Sequence, residues 1–194
     1  MRKDAKGKIH FKIVFVGASL AGKTSVLKYL HEQVEGLLKG GLTSIADPSG
    51  RTVYFDFSPF SATNSVLFDV YTVAGQRRHK NQRKMILRGV DGLLFVADSN
   101  PDNKHDNIEA AVELREFIGD RLGKEIPLVI SLNKRDLPNA MAREEMLKDL
   151  GFNDDILAIN TIAVTGFGLK QAFQAVSREI IMKHIYKADA KAKV

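Results

Sequence analysis

Residues 9–33 read IHFKIVFVGASLAGKTSVLKYLHEQ, and the change of period inside this stretch decides the fold. Ile9 to Val16 is a β-rich run that stops at Gly17, whereas from Lys23 to Gln33 the apolar residues Val26, Leu27 and Leu30 recur at helical spacing. Between strand and helix, Gly17-Ala18-Ser19-Leu20-Ala21-Gly22-Lys23-Thr24 fits the pattern G-x-x-x-x-G-K-[ST]. Glycines let such a backbone curl until successive N–H groups point inward, and the helix that follows adds its positive dipole end to the anion site. Lys23 is placed to reach β- and γ-phosphates, and Thr24 to give its hydroxyl to Mg²⁺. Ser25 is grouped with the loop as a nucleotide contact.

Outward from this unit the chain alternates strand and helix. Residues 53–57 and 66–73 read as two strands able to pair as a hairpin, and 93–97 and 128–132 are short continuous apolar runs of the kind that form buried parallel strands. Residues 156–159 supply the last strand. Helical spacing covers 108–118, 143–150 and 169–184, the last through Leu169, Phe173, Val176 and Ile180. Residues 38–50 are rich in Gly, Ser, Thr and Asp without a period, which predicts a long surface loop. The expected fold is a three-layer α/β/α sandwich of the phosphate-loop class, its sheet mostly parallel with one antiparallel edge hairpin, its ligands beyond the carboxyl ends of the strands. One domain over residues 9–186 is expected, with flexible basic tails at 1–8 and 187–194.

Bulk composition narrows the class. Hydrophobic residues at 44% and charged residues at 27% give the balance of a soluble globular protein. The absence of cysteine excludes disulfides, thiolate metal sites, a cysteine nucleophile, prenylation and palmitoylation, and fits a cytoplasmic location. Neither a signal peptide nor a membrane-spanning run is expected. The net charge of +6 gathers at both ends and at residues 77–88; solvated faces are the expected reading, with no nucleic-acid partner and at most peripheral membrane contact.

Asn133-Lys134-Arg135-Asp136 follows an apolar strand and precedes Leu137-Pro138, so it sits at the nucleotide end of the sheet. A carboxylate at Asp136 can accept two hydrogen bonds from the ring N–H and exocyclic amine of guanine, a donor pair that adenine lacks. Lys134 can lay its aliphatic stem on the base, and Asn133 can tie the segment to the phosphate loop. Guanine recognition disfavours the reading as an ATP-using kinase.

Through the phosphate loop, Ala74-Gly75-Gln76, Asn133-Lys134-Arg135-Asp136 and Asn160-Thr161-Ile162-Ala163-Val164, the sequence resembles the Ras-like small GTPase superfamily over nearly its whole length. Three longer strings make it most similar in look to the MglA-type prokaryotic polarity and motility GTPases. They are Arg51-Thr52-Val53-Tyr54-Phe55-Asp56-Phe57, Tyr71-Thr72-Val73-Ala74-Gly75-Gln76 and Leu87-Arg88-Gly89-Val90-Asp91-Gly92. The resemblance implies a GTP/GDP switch that hydrolyses GTP with Mg²⁺. Ala163 would offer its N–H to the guanine carbonyl, with Val164 beside it, although Ile162 stands where the family usually has Ser. Gly75 would sense the γ-phosphate and Gln76 orient the attacking water.

The family's metal-supporting Asp is replaced by Thr72, an absence that MglA-type proteins share. Asp56 is the candidate carboxylate in its place and Asp98 the second choice. Thr52 is the expected first-switch threonine for Mg²⁺ and γ-phosphate, with Thr43 as fallback. Arg51 matches an internal finger for transition-state charge. The basic run Arg77-Arg78-His79-Lys80 and Arg83-Lys84 is either a steering surface for an acidic regulator or a solvated helix face. Tyr54, Phe55, Phe57 and Phe60 read as core rather than partner patch. By resemblance the partners would be an exchange factor, effectors and a roadblock-type GTPase-activating protein, acting on a monomer. A hydrolysis-poor, GTP-locked interaction module is the competing function.

Overall fold

The computed structural model describes residues 2–33, 38–46, 52–63, 65–152 and 155–186. Among them the chain runs β1 (Arg2–Lys3), β2 (Ile9–Val16), α1 (Lys23–Gln33), β3 (Leu38–Lys39), β4 (Thr43–Ala46), β5 (Thr52–Thr63), β6 (Val66–Thr72) and α2 (Lys80–Ile86). It continues through β7 (Gly92–Asp98), α3 (Lys104–Ile118), β8 (Leu128–Asn133), α4 (Arg143–Leu150), β9 (Ala158–Asn160) and α5 (Leu169–Ile181). The strands form one sheet in the order β3-β5-β6-β2-β7-β8-β9, with β1 added to β2 and β4 to β5. From β6 to β9 every neighbouring pair is parallel, and β5 turns back antiparallel on β6.

Side-chain alternation builds the layers. Phe11, Ile13 and Phe15 of β2 point into a core shared with Val26, Leu27 and Leu30 of α1 and with Leu169, Phe173, Val176 and Ile180 of α5. The intervening Val14 and Val16 face the opposite core, made with Ala111, Leu114 and Ile118 of α3 and Met146 and Leu150 of α4. Burying each large apolar side chain is worth about 1.5–3 kcal/mol, so a strand such as β7, buried throughout and apolar over residues 93–97, is stable only between two helical layers. That is the α/β/α sandwich the sequence implied.

Two expectations change. Residues 38–46, read as loop, contain β3 and β4, both paired antiparallel with β5; strands of two and four residues are too short to show a period. The N-terminal segment read as a tail contains β1, paired with β2 and tied down by an Arg2–Asp69 ion pair of 2.6 Å. Residues 187–194 lie outside the described residues.

The parallel register aligns the carboxyl ends of β2, β7, β8 and β9, so that Gly17, Asp98, Asn133 and Thr161 emerge at one edge.

Candidate nucleotide site

The phosphate loop has the backbone that only its glycines allow. Gly17 lies at φ 135°, and a Cβ there would stand 2.1 Å from the Val96 carbonyl oxygen; Gly22 lies at φ 103°, where a Cβ would meet the Asn133 amide at 2.4 Å. Leu20 also takes a positive φ, 61°, at the exposed turn of the loop. Lys23 folds back inside the curl and donates to the carbonyls of Gly17 at 2.9 Å and Ala18 at 2.5 Å. Burial, reinforced by the charge of Arg83 and opposed by that of Asp56, lowers the Lys23 ammonium from its ordinary 10.5 to about 7. Beside it a cavity of about 260 Å³ is lined by Ser19, Lys23, Thr24, Ser25, Gly75 and Gln76.

At the inner wall, Thr24 donates its hydroxyl to Asp56 Oδ2 at 2.6 Å, and Thr72 donates to the same oxygen at 2.6 Å. The Asp56 backbone N–H returns a bond to the Thr72 hydroxyl at 3.2 Å. Asp56 and Thr72 are both buried. The position expected to carry Asp on β6 thus carries a hydroxyl that orients a carboxylate supplied by β5. Asp98 instead serves the adjoining loop. It accepts from Lys134 Nζ at 2.6 Å, Asn103 Nδ2 at 2.8 Å and the Asn100 N–H at 2.9 Å.

Asn133 is the tie across the site. Its Nδ2 donates to the Ala21 carbonyl at 2.8 Å, while its Oδ1 accepts from the Ala163 N–H at 2.9 Å. The N–H expected to meet a guanine carbonyl is therefore held by Asn133. Lys134 has φ 64°, a left-handed conformation uncommon outside glycine, and Asp98 anchors its ammonium. Asp136 is exposed on the following turn, and its carboxylate makes no hydrogen bond or ion pair with the described residues. Val164 is 78% exposed, leaving its side chain open to a ligand or to solvent.

Gly75 lies against the loop so closely that a Cβ would stand 2.6 Å from the Ser19 Cα and nitrogen, and Gln76 is half-buried beside it. These two the fold brings to the phosphate site. Thr52 opens β5 four residues before Asp56, and its side chain lies outside the described residues. Thr43 is exposed on β4, paired with Phe57. Arg51 lies outside the described residues. Phe60 is buried against Phe173, and Phe55 and Phe57 rest on the Tyr71 ring.

Arg83 is the residue whose place the sequence hid. Read there with a basic face, it is buried, and its guanidinium holds the Ala74 and Gln76 carbonyls together with both oxygens of Glu113. Nothing in the run of cations around it distinguishes the one that points inward.

Comparison with known proteins accords with this geometry. Residues 1–180 match the model of the ADP-ribosylation factor family. Over 180 residues the chain is 39% identical to "Mutual gliding-motility protein MglA" of Myxococcus xanthus (strain DK1622), covering 89% of this chain and 91% of that protein. Over 178 residues it is 29% identical to "ADP-ribosylation factor-like protein 6" of Caenorhabditis elegans, covering 90% of this chain and 88% of that one. With its phosphate loop, its Asn133 tie and a match over nearly its full length, the chain belongs to the ADP-ribosylation factor family of Ras-like small GTPases, which bind guanine nucleotides and hydrolyse GTP.

Proposed function

We propose that the protein is a GTP/GDP switch of the MglA type whose Mg²⁺ site takes its carboxylate from Asp56. The observation that carries this reading is the convergence of the Thr24 and Thr72 hydroxyls on Asp56 Oδ2 at the phosphate loop. Hydroxyl and carboxylate oxygens are the donors that a hard cation such as Mg²⁺ selects, and a hydroxyl whose proton is engaged by a carboxylate presents lone pairs elsewhere. Thr24 and Asp56 would hold the ion, which when bound neutralises charge on the phosphate oxygens. Thr52 would join them as the first-switch threonine when GTP is bound.

The phosphate loop from Gly17 to Thr24, with Ser25, would bind the phosphates, and Lys23 would supply positive charge. Asp136 would accept from guanine, with the Lys134 stem against the base and the Ala163–Val164 backbone along its edge. Gly75 would donate its N–H to the γ-phosphate, Gln76 would orient water, and Arg51 would stabilise transition-state charge. Contacts that depend on the γ-phosphate, those of Gly75 and Thr52 among them, would separate the GTP state from the GDP state, which is what a switch requires.

The name of the M. xanthus relative points to motility as the setting; polarity, and a roadblock-type activating protein, an exchange factor and effectors as partners, are what the MglA-type resemblance implies. A cytoplasmic monomer fits this role. The basic stretch 183–193 would give at most reversible, electrostatic membrane contact. The nucleotide that co-purifies with the protein, followed by single-turnover GTP hydrolysis with and without a roadblock partner, tests the reading. Bound GDP and partner-stimulated turnover are expected; bound ATP, or GTP that survives with the partner present, would overturn it.

A further inference from the structure

We infer that Arg83 and Glu113 form a positioning clasp through which α3 sets the direction of the Gly75 N–H and the carriage of Gln76. The inference rests on the proposed GTPase reading of Gly75 and Gln76. Arg83 Nε and Nη2 form a forked pair with Glu113 Oε1 and Oε2 at 2.6 and 2.9 Å, leaving Nη1 to donate to the Ala74 carbonyl at 2.8 Å and the Gln76 carbonyl at 2.6 Å. The fork fixes the plane of the guanidinium, and the guanidinium then fixes two peptide groups.

The consequence follows from peptide geometry. In a planar trans peptide the C=O and N–H point in opposite directions. Gripping the Ala74 carbonyl therefore aims the Gly75 N–H, which shares its peptide plane, away from Arg83. Gripping the Gln76 carbonyl fixes the peptide on the other side of the Gln76 Cα, and with it the direction from which that side chain leaves the backbone. Gly75 lies against the phosphate loop at Ser19, so the segment is held between loop and clasp. A cavity of about 140 Å³, bordered by Ser19, Gln76, Arg83 and Glu113, gives it room to shift when the clasp is loosened.

Burial makes the arrangement directional. Arg83 is 8% exposed, and a guanidinium so placed needs every one of these partners. Glu113 lies mid-helix on α3, whose buried face of Ala111, Leu114 and Ile118 belongs to the core behind the sheet. A partner that moves α3 thus acts on the hydrolytic segment without touching the nucleotide, and the GTP state acts on α3 by the same coupling.

Glu113→Gln keeps the shape of the side chain and removes its charge; Arg83→Lys keeps the charge and cannot form the fork. Both are compared with wild type by GDP affinity, GTP affinity, single-turnover hydrolysis and amide hydrogen exchange of residues 74–83 in nucleotide-free protein. Expected are faster exchange at 74–83, GDP affinity within about twofold of wild type, and at least a tenfold fall in both the GTP-to-GDP affinity ratio and the hydrolysis rate. Unchanged exchange and turnover in both variants, or GDP and GTP affinity falling in parallel, overturns the clasp. If wild type itself fails to hydrolyse GTP, the GTPase reading falls, while the exchange comparison still decides whether Arg83 and Glu113 hold this segment.

Discussion

Thr72 on β6 and Asp56 on β5 are joined by a 2.6 Å hydrogen bond from the threonine hydroxyl to the carboxylate that also receives the hydroxyl of Thr24. The carboxylate missing from one strand is thereby present on its neighbour. Asp56→Ala is expected to remove the Mg²⁺ dependence of nucleotide retention. Release rates of a fluorescent GDP, measured with Mg²⁺ and with chelator, should differ at least tenfold in wild type and less than threefold in the variant. An undiminished difference would assign the metal elsewhere.

Thr72→Val keeps the shape of Thr72 and deletes both of its bonds to Asp56, the one it gives to the carboxylate and the one it accepts from the backbone N–H. Hydrogen bonds to charged groups are worth about 1.5–3 kcal/mol, and a buried carboxylate that loses one bears the cost. Urea unfolding should show destabilisation of that order, together with weakened Mg²⁺ retention. A change below about 0.5 kcal/mol would mean that Thr72 only fills space.

Asn133→Ala should leave two buried backbone groups, the Ala21 carbonyl and the Ala163 N–H, without their partner. Each such loss costs about 1–3 kcal/mol, and the phosphate loop is released from the base-binding segments. Lower thermal stability should accompany at least a tenfold loss of GDP affinity. Retention of both would show that the tie is redundant.

Lys23 gives a pH signature. Its folded pKa of about 7 lies below its ordinary 10.5, so between these values the unfolded chain binds a proton that the nucleotide-free fold has shed. Stability from this group therefore rises with pH across that window and is flat below it. Phosphates favour the ammonium form, so GDP binding should take up close to one proton at pH 8.5 and almost none at pH 6. Calorimetry in two buffers of different ionisation enthalpy reads the number directly; equal uptake at both pH values would place the Lys23 pKa outside this range.

The period change at Gly17 was enough to find the sheet, because a strand buried on both faces and an amphipathic helix leave different marks on a chain. The same local logic located Leu169, Phe173, Val176 and Ile180 on one face of α5. β3 and β4 left no mark, since their order comes from pairing with β5 rather than from their own few residues. Asp56 was legible as a candidate through its family-like string, but its bond to Thr72 joins residues 16 apart in sequence across two strands. Arg83 was illegible in principle. Arg78, Lys80, Arg83 and Lys84 all read as cations of one basic run in the sequence, and only the three-dimensional position of Glu113 distinguishes the buried one.

The most direct measurement is single-turnover hydrolysis of GTP by the purified protein with Mg²⁺, run beside Gln76→Ala at matched GTP occupancy. Wild type should convert its bound GTP to GDP, and the variant should bind GTP with affinity near wild type while hydrolysing it at least tenfold more slowly. Bound GTP that stays intact in wild type, or equal rates in the two proteins, would contradict a hydrolytic switch built around Gln76.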